Sequence, residues 1–273
     1  MDTYRDMDRE ALDRAYNNVA AVPDAAETMA DFTRRGAAIY ERVGVKRDIA
    51  YGQAANQRID WIPGPGIGAP TVAYIHGGYW QSLSKEKFAY VAAGPLAHGF
   101  NVALIEYTLA PEARIGAIVS EIGQAVDFLV AHFEEWGADP ARFCLAGHSA
   151  GGHLAAWHRR HPEVSLVLCM SGLYDLEPIR LCYVNDKLDL TPAEVAAYSP
   201  QMHIGAGART LLTVGGDELP ELRRQTAEYA SCLRAGGELV EEIPAPGCNH
   251  FTVTEMLALP DGAAIEAIVR AFS

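Results

Sequence analysis

Arg142-Phe143-Cys144-Leu145-Ala146-Gly147-His148-Ser149-Ala150-Gly151-Gly152-His153-Leu154-Ala155-Ala156-Trp157 reads as a buried strand, a tight turn and an Ala-rich helix, with a serine at the turn. Gly147 and Gly151 stand two residues to either side of Ser149, where a turn this sharp leaves no space for a Cβ. Such a turn lifts the serine hydroxyl off the end of its strand and presents it for attack. A strand feeding directly into a helix also predicts an α/β sheet.

The rest of the chain repeats that alternation. Lys46 to Gly52 and Gln57 to Ile62 read as opening antiparallel strands, followed by strands at Thr71–Ile75, Asn101–Tyr107, Leu166–Met170, Thr210–Val214 and Leu239–Ile243. Between them lie helical periods at Lys87–His98, a long one carrying Ile118, Ile122, Val126, Leu129 and Phe133, and others at Glu221–Ala235 and Asp261–Phe272. Strands alternating with helices predict a mostly parallel central sheet of about eight strands with right-handed crossovers. Residues 1–44 read as an N-terminal helical arm. In it Leu12, Tyr16 and Val19 share a face, and Asp24 with Glu27 suggests a capping box. Residues 176–206 exceed an ordinary loop and are assigned to a small cap over the site. The whole of 1–273 is expected to be one domain.

Composition narrows the function. With 273 residues, 49% of them hydrophobic, the chain can bury a large core. Its formal net charge of −13 argues against nucleic acid or an anionic membrane as partner and favours a small-molecule substrate. The first residues lack an apolar leader, and no run approaches bilayer length, so cytoplasmic residence is expected. Five cysteines without CxxC spacing suggest neither disulfides nor zinc. No metal and no cofactor are expected. A homodimer through an edge strand or the arm is open.

His76-Gly77-Gly78-Tyr79-Trp80 closes the third strand. Acyl transfer needs backbone N–H groups aimed at the oxygen that becomes negative, and glycines keep that approach clear. Gly77, Gly78 and Ala150, the residue after the serine, are the expected donors. Tyr79 and Trp80 are candidates for an aromatic substrate wall. A serine nucleophile needs a histidine base and a carboxylate to orient it. Asp217 follows the strand Leu211–Val214, and His250 follows the last strand, both at carboxyl ends where open-sheet sites collect. Asp175, one strand earlier, is the rival acid and is otherwise placed to shape the cap. His148 is placed to orient the loop. The remaining histidines are expected at the surface or behind the site, and Cys248 reads as structural.

Taken together, Gly147–Leu154, His76–Trp80, Asp217 and Asn249–Phe251 resemble the α/β-hydrolase superfamily, and within it the kynurenine formamidase (arylformamidase) group. Ala15–Asn18 and Val22-Pro23 are similar to the arm of that group. The resemblance implies an acyl-enzyme mechanism with Ser149, Asp217 and His250 as triad, and hydrolysis of N-formyl-L-kynurenine to L-kynurenine and formate. A carboxylesterase or amidase of other small acyl compounds fits the same residues, and a catalytically silent binding module is the reading from another class. Arg180 is the one candidate for gripping an amino-acid carboxylate.

Overall fold

The computed structural model describes residues 3–273. Strands β1 (Lys46–Ala50), β2 (Arg58–Ile62), β3 (Ala69–Ile75), β4 (Asn101–Ile105), β5 (Ala138–His148), β6 (Leu166–Met170), β7 (Arg209–Gly215) and β8 (Val240–Ala245) form one sheet. Their order is β1-β2-β4-β3-β5-β6-β7-β8. β2 runs antiparallel to β1 and β4, and every other pair is parallel.

The inner strands are buried on both faces, which is why they read as continuous apolar runs. Successive residues still sort by face. Ala73, Ile75, Ala103, Ile105, Leu145 and Val167 join one core layer, with the helix Ile115–His132 behind them. Val72, Tyr74, Val102, Leu104, Ala146 and Leu168 join the other, with the helices Ala25–Tyr40 and Ala263–Phe272. The helix Ile115–His132 is apolar and long enough to cross a membrane, contrary to expectation. In the fold it is a core helix whose Ile118, Ile122, Val126 and Leu129 are fully buried. β1 is an outer strand with Lys46, Arg47 and Asp48 exposed and an irregular register at its start, features that discourage pairing with a further strand.

Topology places the site. From β3 the chain goes outward to β4, then returns past β3 to begin β5 on its other side. The crevice at the carboxyl ends of β3 and β5 is therefore a topological switch point, where ligands gather in open α/β sheets. β3 ends at Ile75 and β5 at His148, so His76–Trp80 and Ser149 are delivered to one crevice.

Two expectations change in the arm and the cap. The arm is three helices, Arg9–Ala15, Asn18–Ala21 and Ala25–Tyr40. Asn17 interrupts the first period by accepting a hydrogen bond from the Ala20 N–H, which starts a new helix. Leu12 and Tyr16 are fully buried while Val19 is 67% exposed, so the three do not share a face. Asp24 precedes the third helix but makes no side-chain cap bond. Residues 177–202 fold as short helices, one opened by a Thr191–Glu194 capping box. They are tied to the helix Ile115–His132 through Arg114, which binds Asp189 and Glu194.

Candidate active site

Ser149 has φ 56° and ψ −117°, a left-handed conformation costly for a residue with a Cβ and characteristic of functional strain. Two glycines make it possible. A Cβ at Gly147 would lie 2.1 Å from the Gly151 carbonyl oxygen, and one at Gly151 would lie 2.0 Å from that of Ile75. The Ser149 N–H donates to Met170 O at 2.8 Å, tying the turn to β6. Ala150 is the first residue of the following helix, so its N–H has no partner within that helix.

The loop after β3 lies against this turn. A Cβ on Gly77 would come within 3.1 Å of Ser149 Cβ, and Gly78 has φ +114°, which only glycine adopts without strain. His76 fixes the loop: its Nδ1–H donates to Gly77 O at 2.7 Å and its Nε2 meets Glu106 Oε1 at 2.8 Å. Tyr107 stacks on the His76 ring at 4.5 Å and donates its hydroxyl proton to His76 O. Glu106 also accepts from the Lys85 and Tyr107 backbone N–H groups. Nothing in its sequence neighbourhood marks Glu106; only the fold brings it to His76.

His250, 5% exposed, sits on the loop after β8. Its Nδ1 bonds Glu218 Oε2 at 2.7 Å, and not Asp217 as the sequence suggests. Past the end of β7 the chain turns tightly, with the Glu218 N–H returning to Gly215 O. That turn leaves the Asp217 side chain exposed and folds Glu218 inward. The other Glu218 oxygen accepts from Ser171 Oγ and from the Gly215 N–H. Gly215 makes the room, since a Cβ there would stand 2.2 Å from Cys248 O and 3.1 Å from Glu218 Cγ. The rival acid, Asp175, accepts from Tyr4 Oη at 2.6 Å and from the Glu177 N–H, and so anchors the start of the arm.

Ser149, His148 and His250 open onto a cavity of about 260 Å³. Its far wall is the arm, through Asn18, Val19, Ala25, Ala26 and Met29, and no residue of 176–206 lines it. The structural cover over Ser149 is thus the arm and not the expected cap. Tyr79 lines the cavity, and its hydroxyl donates to Tyr16 O at 2.6 Å and accepts from Asn18 Nδ2 at 3.1 Å. Trp80 does not line it. Its ring is fully buried, edge-on to His153 at 4.9 Å, so it supports the loop from behind. Arg180 is paired with Glu177 at 2.7 Å and is likewise absent from the lining. Among the described residues no group of His, Cys, Asp and Glu has the geometry to hold a metal ion.

Buried histidines govern the behaviour of this region in acid. His148 donates Nε2–H to His250 O at 2.7 Å, and burial holds its pKa well below the usual range. His153, fully buried, is pushed down to about 4 by the same desolvation. Both are neutral in the folded protein, whereas in the unfolded chain each takes up a proton near pH 6.5. Stability is therefore complete above about pH 6.5 and is lost as the pH falls towards 4, with His153 alone contributing up to about 3 kcal/mol of that loss. Urea unfolding at pH 7.5 and at pH 5 checks this; equal stabilities would contradict it, and His153→Gln is expected to flatten the profile.

The BD-FAE family model matches residues 64–166, the stretch from the loop before β3 to the start of β6. Kynurenine formamidase of Danio rerio is 30% identical over 226 residues, covering 77% of this chain and 76% of its own. A crystal structure of a provisionally assigned thioesterase from Silicibacter sp. has a TM-score of 0.85 at 29% identity, covering 94% of this chain and 98% of that one. The hyperthermophilic esterase of Pyrobaculum calidifontis shares the fold with a TM-score of 0.74 at 21% identity, covering 97% and 95%.

Proposed function

Because the chain belongs to the kynurenine formamidase family of α/β hydrolases, we propose that it cleaves the formamide bond of N-formylkynurenine through a formyl-enzyme on Ser149. His250 takes the Ser149 proton as Oγ attacks the formyl carbon, and Glu218 holds the imidazole with Nδ1 protonated so that Nε2 is free to accept. The oxyanion rests against the N–H groups of Ala150 and of Gly77 or Gly78. Protonated His250 then delivers its proton to the departing nitrogen, which leaves as a neutral arylamine. Delivery is essential for an amide, whose unprotonated leaving group is far too basic. Water repeats the cycle and releases formate.

The observation that carries this reading is the 2.7 Å bond between His250 and buried Glu218, next to a strained serine in the same cavity. A cavity of about 260 Å³ suits a small acyl group. A second reading, a carboxylesterase, is favoured by the lining, which includes no lysine, arginine, aspartate or glutamate. Turnover of N-formylkynurenine, its N-acetyl counterpart and 4-nitrophenyl acetate separates the two. The formyl amide is expected to exceed the acetyl amide at least about tenfold in kcat/KM, in line with the discrimination available from one methyl group. Hydrolysis of the ester with no hydrolysis of either amide would establish the carboxylesterase instead.

A further inference from the structure

A cavity without a charged wall leaves the amino-acid end of such a substrate unaccounted for, and two polar groups beside it supply an answer. Asn18 is 5% exposed, lines the cavity, and has a buried Oδ1 without a hydrogen-bond partner. The orientation of its amide is set by its neighbours. The Tyr79 hydroxyl gives its only proton to Tyr16 O, so towards Asn18 it can only accept, which requires the NH₂ group there and leaves the oxygen free. A buried amide oxygen left unpaired is costly and calls for a donor.

Asn18 also lines a second depression of about 340 Å³, which shares Val19, Tyr79 and Ser82 with the catalytic cavity. On its rim stands Lys187, whose Nζ donates to Gln81 O at 3.1 Å and has no carboxylate partner among the described residues. In a chain of net charge −13, with most cations near the arm committed to carboxylates, a lysine held by a backbone carbonyl alone is available to an anion.

We propose that this depression is the subsite for a zwitterionic α-amino acid on the leaving group, with Asn18 Oδ1 accepting from its ammonium and Lys187 pairing with its carboxylate. The proposal deepens the formamidase reading and rests on it for the direction in which the substrate lies. Both residues are specificity determinants and take no part in proton transfer. The aryl ring spans the two hollows past Tyr79, so the ends of one substrate are read by the arm and by residues 183–187.

The test is calorimetric binding to the full-length Ser149→Ala protein, which needs no turnover. The ligands are N-formylkynurenine, N-formylkynuramine, which lacks the carboxylate, and 2′-formamidopropiophenone, which keeps the ketone and lacks both charged groups. N-formylkynurenine is expected to bind about fivefold tighter than N-formylkynuramine, as for an exposed ion pair. N-formylkynuramine should exceed 2′-formamidopropiophenone tenfold or more, as for a hydrogen bond to a charged group. Lys187→Met should erase the first preference and leave the second, and Lys187→Arg should restore the first. Asn18→Leu should erase the second. Equal affinities for the three ligands, or a Lys187→Met loss as large for N-formylkynuramine as for N-formylkynurenine, would overturn the subsite. The formamidase reading is judged separately by turnover in the unmodified protein, so the two can fail independently.

Discussion

Glu218→Gln is expected to lower kcat about ten-thousand-fold, and Asp217→Asn to leave it within about twofold, with KM for a small ester little changed in both. The reasoning follows hydrogens. In the protein one Glu218 oxygen accepts from Ser171 Oγ and the Gly215 N–H, and the other faces His250 Nδ1. A glutamine keeps its carbonyl towards the two donors and turns its NH₂ to the imidazole. His250 must then present a lone pair at Nδ1, which puts its proton on Nε2 and removes the base. The fold is undisturbed, so circular dichroism should match the parent protein. Asp217 offers no such leverage, because its side chain is exposed and only its N–H, bonded to Cys248 O at 3.0 Å, is structural. Single-turnover acylation by 4-nitrophenyl acetate measures both variants. A larger loss at Asp217 than at Glu218 would refute the assignment of the acid.

Gly151→Ala should abolish activity and cost more than about 4 kcal/mol of stability, although it adds a single methyl to a helix, where alanine is normally favoured. The added carbon would stand 2.0 Å from Ile75 O, 2.7 Å from Ile75 C and 2.8 Å from His76 O. All three are backbone atoms at the end of β3, and none can rotate away. The helix must therefore retreat from the sheet, carrying Ser149 and Ala150 away from Gly77. Gly66→Ala is the control: nothing lies within 4 Å of its Cβ, and a change within about 0.5 kcal/mol is expected. Urea unfolding of the two proteins, with reaction towards a fluorophosphonate at Ser149, reads both effects.

The sheet is legible because each inner strand lies between helices and so carries an apolar run, and because the glycines around Ser149 answer to a turn that admits nothing larger. The sequence points to Asp217, one position from the carboxylate that meets His250. Asp217 and Glu218 are adjacent carboxylates after the same strand, and which of them turns inward depends on a tight turn and on the space left by Gly215 beside Cys248 O. That is tertiary information. Trp80 reads as a substrate wall because large aromatic rings serve cores and ligands alike, whereas its place against His153 depends on a helix more than seventy residues away. Length alone points to residues 176–206 as the cover over the site. The arm took that place through contacts with distant partners, such as Tyr4 with Asp175 and Tyr16 with Gln225, which no local pattern announces.

Those contacts mean that the wall opposite the serine and the machinery that cuts are separate pieces of chain. Residues 17–29 supply the wall, and the loops after β3, β5, β7 and β8 supply the chemistry. They are joined by the hydroxyls of Tyr4, Tyr16 and Tyr79, by ion pairs such as Arg9–Asp186 and Arg35–Glu255, and by Leu12, Phe32 and Ile39 buried in the core. Within that frame the side chains facing the cavity can be exchanged without touching the anchors. Arms carrying other residues at 18, 19, 25 and 29, but keeping the buried apolar, tyrosine and ion-pair anchors, leave the sheet unaltered, which makes residues 17–29 the place to redesign what this catalyst accepts.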